Sequence, residues 1–129
     1  MKLTNREIVN IINNIGGITT KKLPIKLSFA IQKNVRKLEE VAKEYDGARK
    51  KILEENAEKD EDGKPVIGDN QYKIIDTEKN TKEILELLDF ENEVEIHTID
   101  LSMVEQCDLE RFDSLTGTEV GLLSFMINE

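Results

Sequence analysis

Apolar side chains recur at helical spacing in several stretches of this chain. Ile8, Ile11, Ile12 and Ile15 form one stripe, the mark of an amphipathic helix. Thr4 and Glu7 stand at the positions of a capping box, with Leu3 and Ile8 as its hydrophobic staple. Gly16-Gly17 closes that helix by offering a left-handed end.

The longest pattern follows. Pro24 suits a first helical turn, where its missing N–H costs nothing. Ile31, Val35, Leu38, Ala42, Tyr45, Arg49 and Ile52 then alternate spacings of four and three, the seam of one helix lying along another. Leu27, Ala30, Val41, Ala48 and Leu53 widen it. No proline interrupts residues 25–59, so the pattern predicts a helix about 52 Å long at 1.5 Å per residue. Gly47 is its weak point, and a bend or close contact is expected there.

Asp62-Gly63 and Gly68-Asp69-Asn70 break the pattern and flank Pro65-Val66-Ile67. They predict a hairpin or irregular connector at the tip of the long helix. An isolated two-stranded hairpin is marginal in water, so it must lean on a neighbour. Asp76 or Thr77 caps a third helix carrying Ile84, Leu85, Leu87 and Leu88. This helix is expected to return antiparallel along the second, with Glu78, Glu83 and Glu86 facing its basic side. Val94 to Thr98 alternates like a strand, and the change of parity at Ile99 and Leu101 predicts a bend or bulge. Ser102 to Glu105 offers another cap, and Thr116 with Glu119 a second capping box. The latter leads into Val120, Leu122, Leu123, Phe125, Met126 and Ile127, which are expected to dock as a closing helix.

The fold expected is α+β and mainly helical: a long antiparallel helix pair, a small β element and flanking short helices. Residues 1–129 read as one domain. Within it, 1–59 is a basic helical half, 60–75 the connector, and 76–129 an acidic helix, a strand and the C-terminal helix. With no Trp and 5% aromatic residues, the core must come from Ile, Leu and Val. A single cysteine excludes an internal disulfide. No signal-like or membrane-spanning apolar run is present, so a soluble, cytoplasmic protein is expected.

Charge divides the chain. Residues 1–53 hold 12 Lys and Arg against 5 Asp and Glu, a balance of +7. Residues 54–129 hold 6 against 22, a balance of −16, which leaves −9 in all. Such a chain can neutralise itself by folding one half on the other, or present faces of opposite sign to partners. The residues proposed to carry contacts are Lys26, Lys33, Arg36 and Lys37 on the basic side, and Glu78, Glu83 and Glu86 on the acidic side.

Several segments together resemble an uncharacterised family of small proteins encoded by bacteriophages and prophages of Gram-positive bacteria. They are Leu23-Pro24-Ile25-Lys26-Leu27-Ser28-Phe29-Ala30-Ile31 with Lys33-Asn34, the turn Asp60-Glu61-Asp62-Gly63-Lys64-Pro65, the Val94-Glu95-Ile96 strand after an acidic helix, and the ending Phe125-Met126-Ile127. The resemblance implies a phage setting and carries over no catalytic residue.

Signatures of chemistry are sparse. His97 is the only histidine; as a general base it would need Glu95 or Asp100 to orient it. Cys107 has no basic neighbour in sequence to lower its pKa and reads as a packing residue. Glu58, Asp60, Asp62 and Asp69 approach calcium-loop spacing, but the first ligand is not Asp, the last is not Glu, and Pro65 stands within. No phosphate-binding glycine loop or other cofactor signature is present. Lys21, Lys22 and the basic residues above have the charge to track a phosphate backbone, yet only Phe29 is placed to stack on a base and the chain is acidic overall. Direct nucleic-acid binding is therefore not expected.

These features point away from catalysis. They suggest a phage or prophage protein, cytoplasmic in its host or virion-associated, that acts through protein contacts in virion assembly or as an accessory factor. Its partner would be a second copy of itself or a phage or host protein. The alternative is an acidic, DNA-mimicking inhibitor of a host nuclease, repressor or defence protein.

Overall fold

A computed structural model describes residues 1–128. The chain opens with strand β1 (Lys2–Thr4), helix α1 (Asn5–Asn14) and a short helix α2 (Gly16–Thr19). Both halves of the first capping box form: the Thr4 hydroxyl accepts from the Glu7 amide at 3.1 Å, and Glu7 Oε1 accepts from the Thr4 amide at 3.2 Å. Gly16 and Gly17 do not end the helix in a left-handed turn. Ile15 keeps right-handed helical angles and the glycines begin α2, because Ile18 one turn on is buried and draws the chain back to the core.

Helix α3 (Ile25–Asn56) runs unbroken for 32 residues, about 48 Å. Leu27, Ala30, Ile31, Leu38 and Tyr45 are buried along it, so the expected stripe faces the core. Arg49 departs from the seam and is exposed. Gly47 does not break the helix, and apart from its own helix backbone and chain neighbours nothing among the described residues lies within 4 Å of where its Cβ would stand. Beyond Asn56 the chain turns extended and buries Ala57. Residues 57–59 leave the helix because they pair with the connector: Ala57 bridges Ile74 and Lys59 bridges Pro65. The Lys59 ammonium donates to the carbonyls of Glu54 and Ala57, satisfying groups that the helix end leaves open.

Strands β2 (Ile67–Gly68) and β3 (Gln71–Tyr72) make the expected hairpin. Its two turn residues, Asp69 and Asn70, have φ of 50° and 66°, the left-handed pair that a tight hairpin turn requires. The hairpin leans on the end of α3, where the Tyr72 hydroxyl donates to Glu54 Oε1 at 3.0 Å.

Helix α4 (Thr77–Leu88) is capped by Asp76, whose Oδ1 accepts from the Lys79 amide at 3.0 Å. Its first half meets the end of α3, where Asn56 Nδ2 donates to Asn80 Oδ1 and Glu83 Oε1. Its last turn meets the start of α1, where Asn5 Nδ2 donates to the Leu87 carbonyl at 2.8 Å. It thus returns antiparallel beside α3 and completes the expected α+β, mainly helical architecture. Strand β4 (Glu91–Glu93) pairs antiparallel with β1.

The predicted strand over Val94–Thr98 is not a strand. It runs extended, with Val94 buried and Ile96 half-buried; Val94 still exchanges backbone bonds with Met1, and beyond it residues 95–98 join no ladder among the described residues. The parity break appears as expected: Ile99, three residues after Ile96, is the next buried position. Strand β5 (Ile99–Asp100) leads directly into helix α5 (Leu101–Glu105), so Ser102 lies inside that helix and caps nothing. Helix α6 (Gly117–Leu123) begins at the second capping box, where Thr116 Oγ1 accepts from the Glu119 amide at 3.2 Å. The closing segment is shorter as a helix than expected. A 3₁₀ turn over Ser124–Met126 buries Met126, and β6 (Ile127–Asn128) pairs parallel with β5. The core joins α1, the first half of α3 and the buried residues of this last third.

Two substitutions test this packing by thermal and denaturant unfolding. Leu38 is fully buried, so Leu38→Asp should cost about 3 kcal/mol or more, through lost burial and an unpaired interior charge. Gly47→Ala, with open space and helical angles, should raise stability by about 1 kcal/mol.

Candidate functional site

Residues 95–98 need partners for their backbone, and α3 supplies them from side chains. Asn34 is fully buried on the core face of α3. Its Nδ2 donates to the His97 carbonyl at 2.8 Å, and its Oδ1 accepts from the His97 amide at 2.8 Å. One turn on, Lys37 Nζ donates to the Glu95 carbonyl at 2.6 Å. This clamp lays the extended segment along α3 and sets β5 and α5 beside the helix start.

A cleft of about 550 Å³ opens between them. Ile25, Lys26 and Phe29 form one wall, and residues 97–100 with Ser102 and Met103 the other. A smaller hollow of about 290 Å³ shares Ile25, Lys26 and Met103 and reaches Arg111 and Phe112, so the two form one trough. The Arg111 guanidinium sits 4.9 Å from the Phe112 ring centroid, a cation–π contact. Ile25 is 84% and Phe29 63% exposed. Both residues belong to the segment that carries the family resemblance, and Phe29 reads as a stacking residue, but nothing local in the sequence marks the pair as an exposed apolar wall. Their spacing of four resembles core periodicity, and only their offset from Leu27 and Ile31 distinguishes them.

Among the basic residues singled out from the sequence, Lys26, Lys33 and Arg36 are exposed, and Lys37 is partly buried by its bond to Glu95. Glu78 and Glu86 lie on the exposed face of α4 with Thr81, Lys82, Leu85 and Asp89. Glu83 turns inward to Asn56 and Lys79. The expected facing of Glu78, Glu83 and Glu86 towards the basic side of α3 does not occur. Among the described residues no ion pair joins these carboxylates to Lys26, Lys33, Arg36 or Lys37, because α4 covers the end of α3 around Asn56, about 30 Å or more from that cluster along the helix. The two halves pair instead at the N-terminal ammonium with Glu93, 2.9 Å, Arg6–Asp89, 3.1 Å, Lys21–Glu119, 2.7 Å, and Lys50–Glu54, 3.9 Å.

Three residue types of nucleophilic chemistry line the cleft: His97, Asp100 and Ser102. Among the described residues no hydrogen bond links the His97 ring to Asp100, Glu95 or Ser102, so no relay orients the imidazole. Cys107 is buried, and burial, then the charge of Asp108, push its thiol above the usual range; it packs as expected. Asp60 Oδ1 accepts from the amides of Asp62 and Lys64, both at 2.9 Å, and closes a turn that Gly63 completes at φ 77°. Among the described residues no three His, Cys, Asp or Glu side chains converge on one point, and no helix is long and apolar enough to cross a membrane.

Glu119 is a largely covered carboxylate held by several partners. The Lys21 ammonium, followed by the Thr116 amide, holds its carboxyl below the ordinary value of 4.5. Lys21 also donates to the Ser114 carbonyl at 2.8 Å, tying the segment before α3 to the start of α6. A carboxyl lowered on folding stabilises the fold above its unfolded pKa, and that contribution is lost as pH falls through the folded one.

Two measurements follow from these contacts. Asn34→Leu keeps the volume but unpairs both polar groups of His97; it should cost about 2 kcal/mol and strip hydrogen-exchange protection from the His97 amide. Unchanged exchange there would refute the clamp. Glu119→Gln should be less stable than the parent at neutral pH, and the difference should shrink as unfolding is measured at successively lower pH below 4.5.

No family model, curated protein or solved structure matches the chain.

Proposed function

We propose that the protein acts by contact with another protein through the trough beside α3, as a phage or prophage component serving virion assembly or an accessory role. Its place would be the host cytoplasm, or the virion itself. One observation carries the reading. Ile25 and Phe29 stand exposed at 84% and 63% on the wall of a hollow, while the apolar residues around Leu27 and Ile31 on the adjacent helix face are closed in the core. Burying them would repay about 25 cal/mol per Å² of apolar surface removed from water. Lys26 and Lys33 on the same side would steer an acidic partner towards it.

The exposed face of α4 supports a second reading, an acidic inhibitor that imitates DNA. Glu78 and Glu86 lie two turns apart there and enter no ion pair among the described residues. In that case Glu78→Lys with Glu86→Lys should abolish salt-sensitive binding of the target nuclease or repressor, and leave the trough unaffected.

A photoreactive residue placed at position 29 in the host cell should give a discrete protein adduct, whereas one at Lys43, exposed further along α3, should not. Absence of any adduct at position 29 would refute the reading.

A further inference from the structure

We propose that the occupant of the trough is the outer face of α4 from a second copy of this chain. The proposal rests on the protein-contact reading and names its partner. The trough offers Ile25 and Phe29, flanked by Lys26 and Lys33 and faced by Asp100. The outer face of α4 offers Leu85, 45% exposed, between Glu78 and Glu86, with Lys82 among them. Phe90, 61% exposed, follows just past its end.

The two surfaces match in kind, sign and spacing. Lys26 and Lys33 are seven residues apart, about 10.5 Å along α3; Glu78 and Glu86 are eight apart, about 12 Å along α4. Lys82, the cation among the residues lining that face, has its counterpart in Asp100 across the trough from Lys26. None of Lys26, Lys33, Glu78, Glu86, Lys82 or Asp100 makes an ion pair with another described residue. Within one chain the surfaces cannot meet. Lys26 and Lys33 lie about 45 and 35 Å before Asn56 along a continuous helix, and Asn56 is where α4 docks through Asn80 and Glu83. A second copy has both surfaces free. The contact joins unlike faces, so each copy both gives and receives, and repetition builds a ring or an open array. This suits an assembly role.

The test uses the purified full chain in sedimentation velocity and light scattering. The parent should associate with rising concentration, and more weakly by roughly tenfold when salt is raised from low to high. K26E/K33E and E78K/E86K alter exposed side chains and should each melt like the parent yet sediment as monomers. Mixed one to one, they should associate again, because each reversed face now finds its complement. Phe29→Ser with Leu85→Ser should also give monomers, without any change of charge. A parent that stays monomeric at about 300 μM in low salt, charge variants that associate like the parent, or a mixture that stays monomeric would each overturn the proposal. A monomer that still acquires an adduct to a different protein at position 29 overturns self-docking and leaves protein contact standing. A chain with no adduct there overturns both.

Discussion

The carboxamide of Asn34 is the contact on which the trough depends. An extended segment away from any strand must find partners for its amides and carbonyls or lose stability. Residues 95–98 have no ladder. Asn34 presents one donor and one acceptor to His97, both at 2.8 Å, and so does the work of a strand edge from within a helix. The same Nδ2 also lies 3.5 Å from Met126 Sδ, which brings the C-terminal turn onto the same point. Beside this pin, the Lys37 bond to the Glu95 carbonyl, the burial of Ile99 in the core and the two-residue pairing with β6 hold the same stretch to α3.

The device recurs where other elements meet. Asn5 donates to the Leu87 carbonyl and accepts from Asn92 Nδ2 at 2.9 Å, joining α1 to the end of α4 and to β4. Asn56 donates to Asn80 and Glu83, joining the end of α3 to the start of α4. A core of Ile and Leu with few aromatics has many near-equivalent packings. A buried amide has few, since a slip of one residue leaves its groups unpaired at about 1–3 kcal/mol each. Among the described residues none of these buried polar side-chain atoms lacks a partner. Ile and Leu burial drives collapse, and the three asparagines select the register.

Local rules made much of this fold legible. Both Thr-x-x-Glu boxes cap as their spacing requires, Asp76 caps α4, and Gly68 to Asn70 turn the hairpin, because each depends on residues within one turn of each other. The long stripe was readable for the same reason, as periodicity is a property of one helix. What depends on distant partners was not. Alternation over Val94–Thr98 reported which side chains face inward, but not whether a neighbouring strand exists. Asn34 lies among the stripe residues Ile31, Val35 and Leu38, and a polar residue at a core position was the one available sign of the clamp. Glu78, Glu83 and Glu86 were grouped by their charge, and the fold separates them: Glu83 turns to Asn56 while the other two face solvent.

The uneven charge of the chain gains its meaning from the rigidity of α3. A flexible chain of +7 and −16 halves would collapse on itself until its charges were mutually screened. Here a continuous helix of 32 residues holds the basic cluster near its start and receives α4 at its end. Among the described residues, the long-range pairs between the halves form where the chain doubles back, at Met1–Glu93, Arg6–Asp89 and Lys21–Glu119. Beyond about 10 Å, salt at physiological strength screens most of what remains between exposed charges. The unpaired cations beside the trough and the carboxylates on α4 therefore do little for each other within the molecule. Within the molecule the length of α3 keeps them apart, and in the self-docking we propose their energy would be realised at contact with the opposite face of a second molecule.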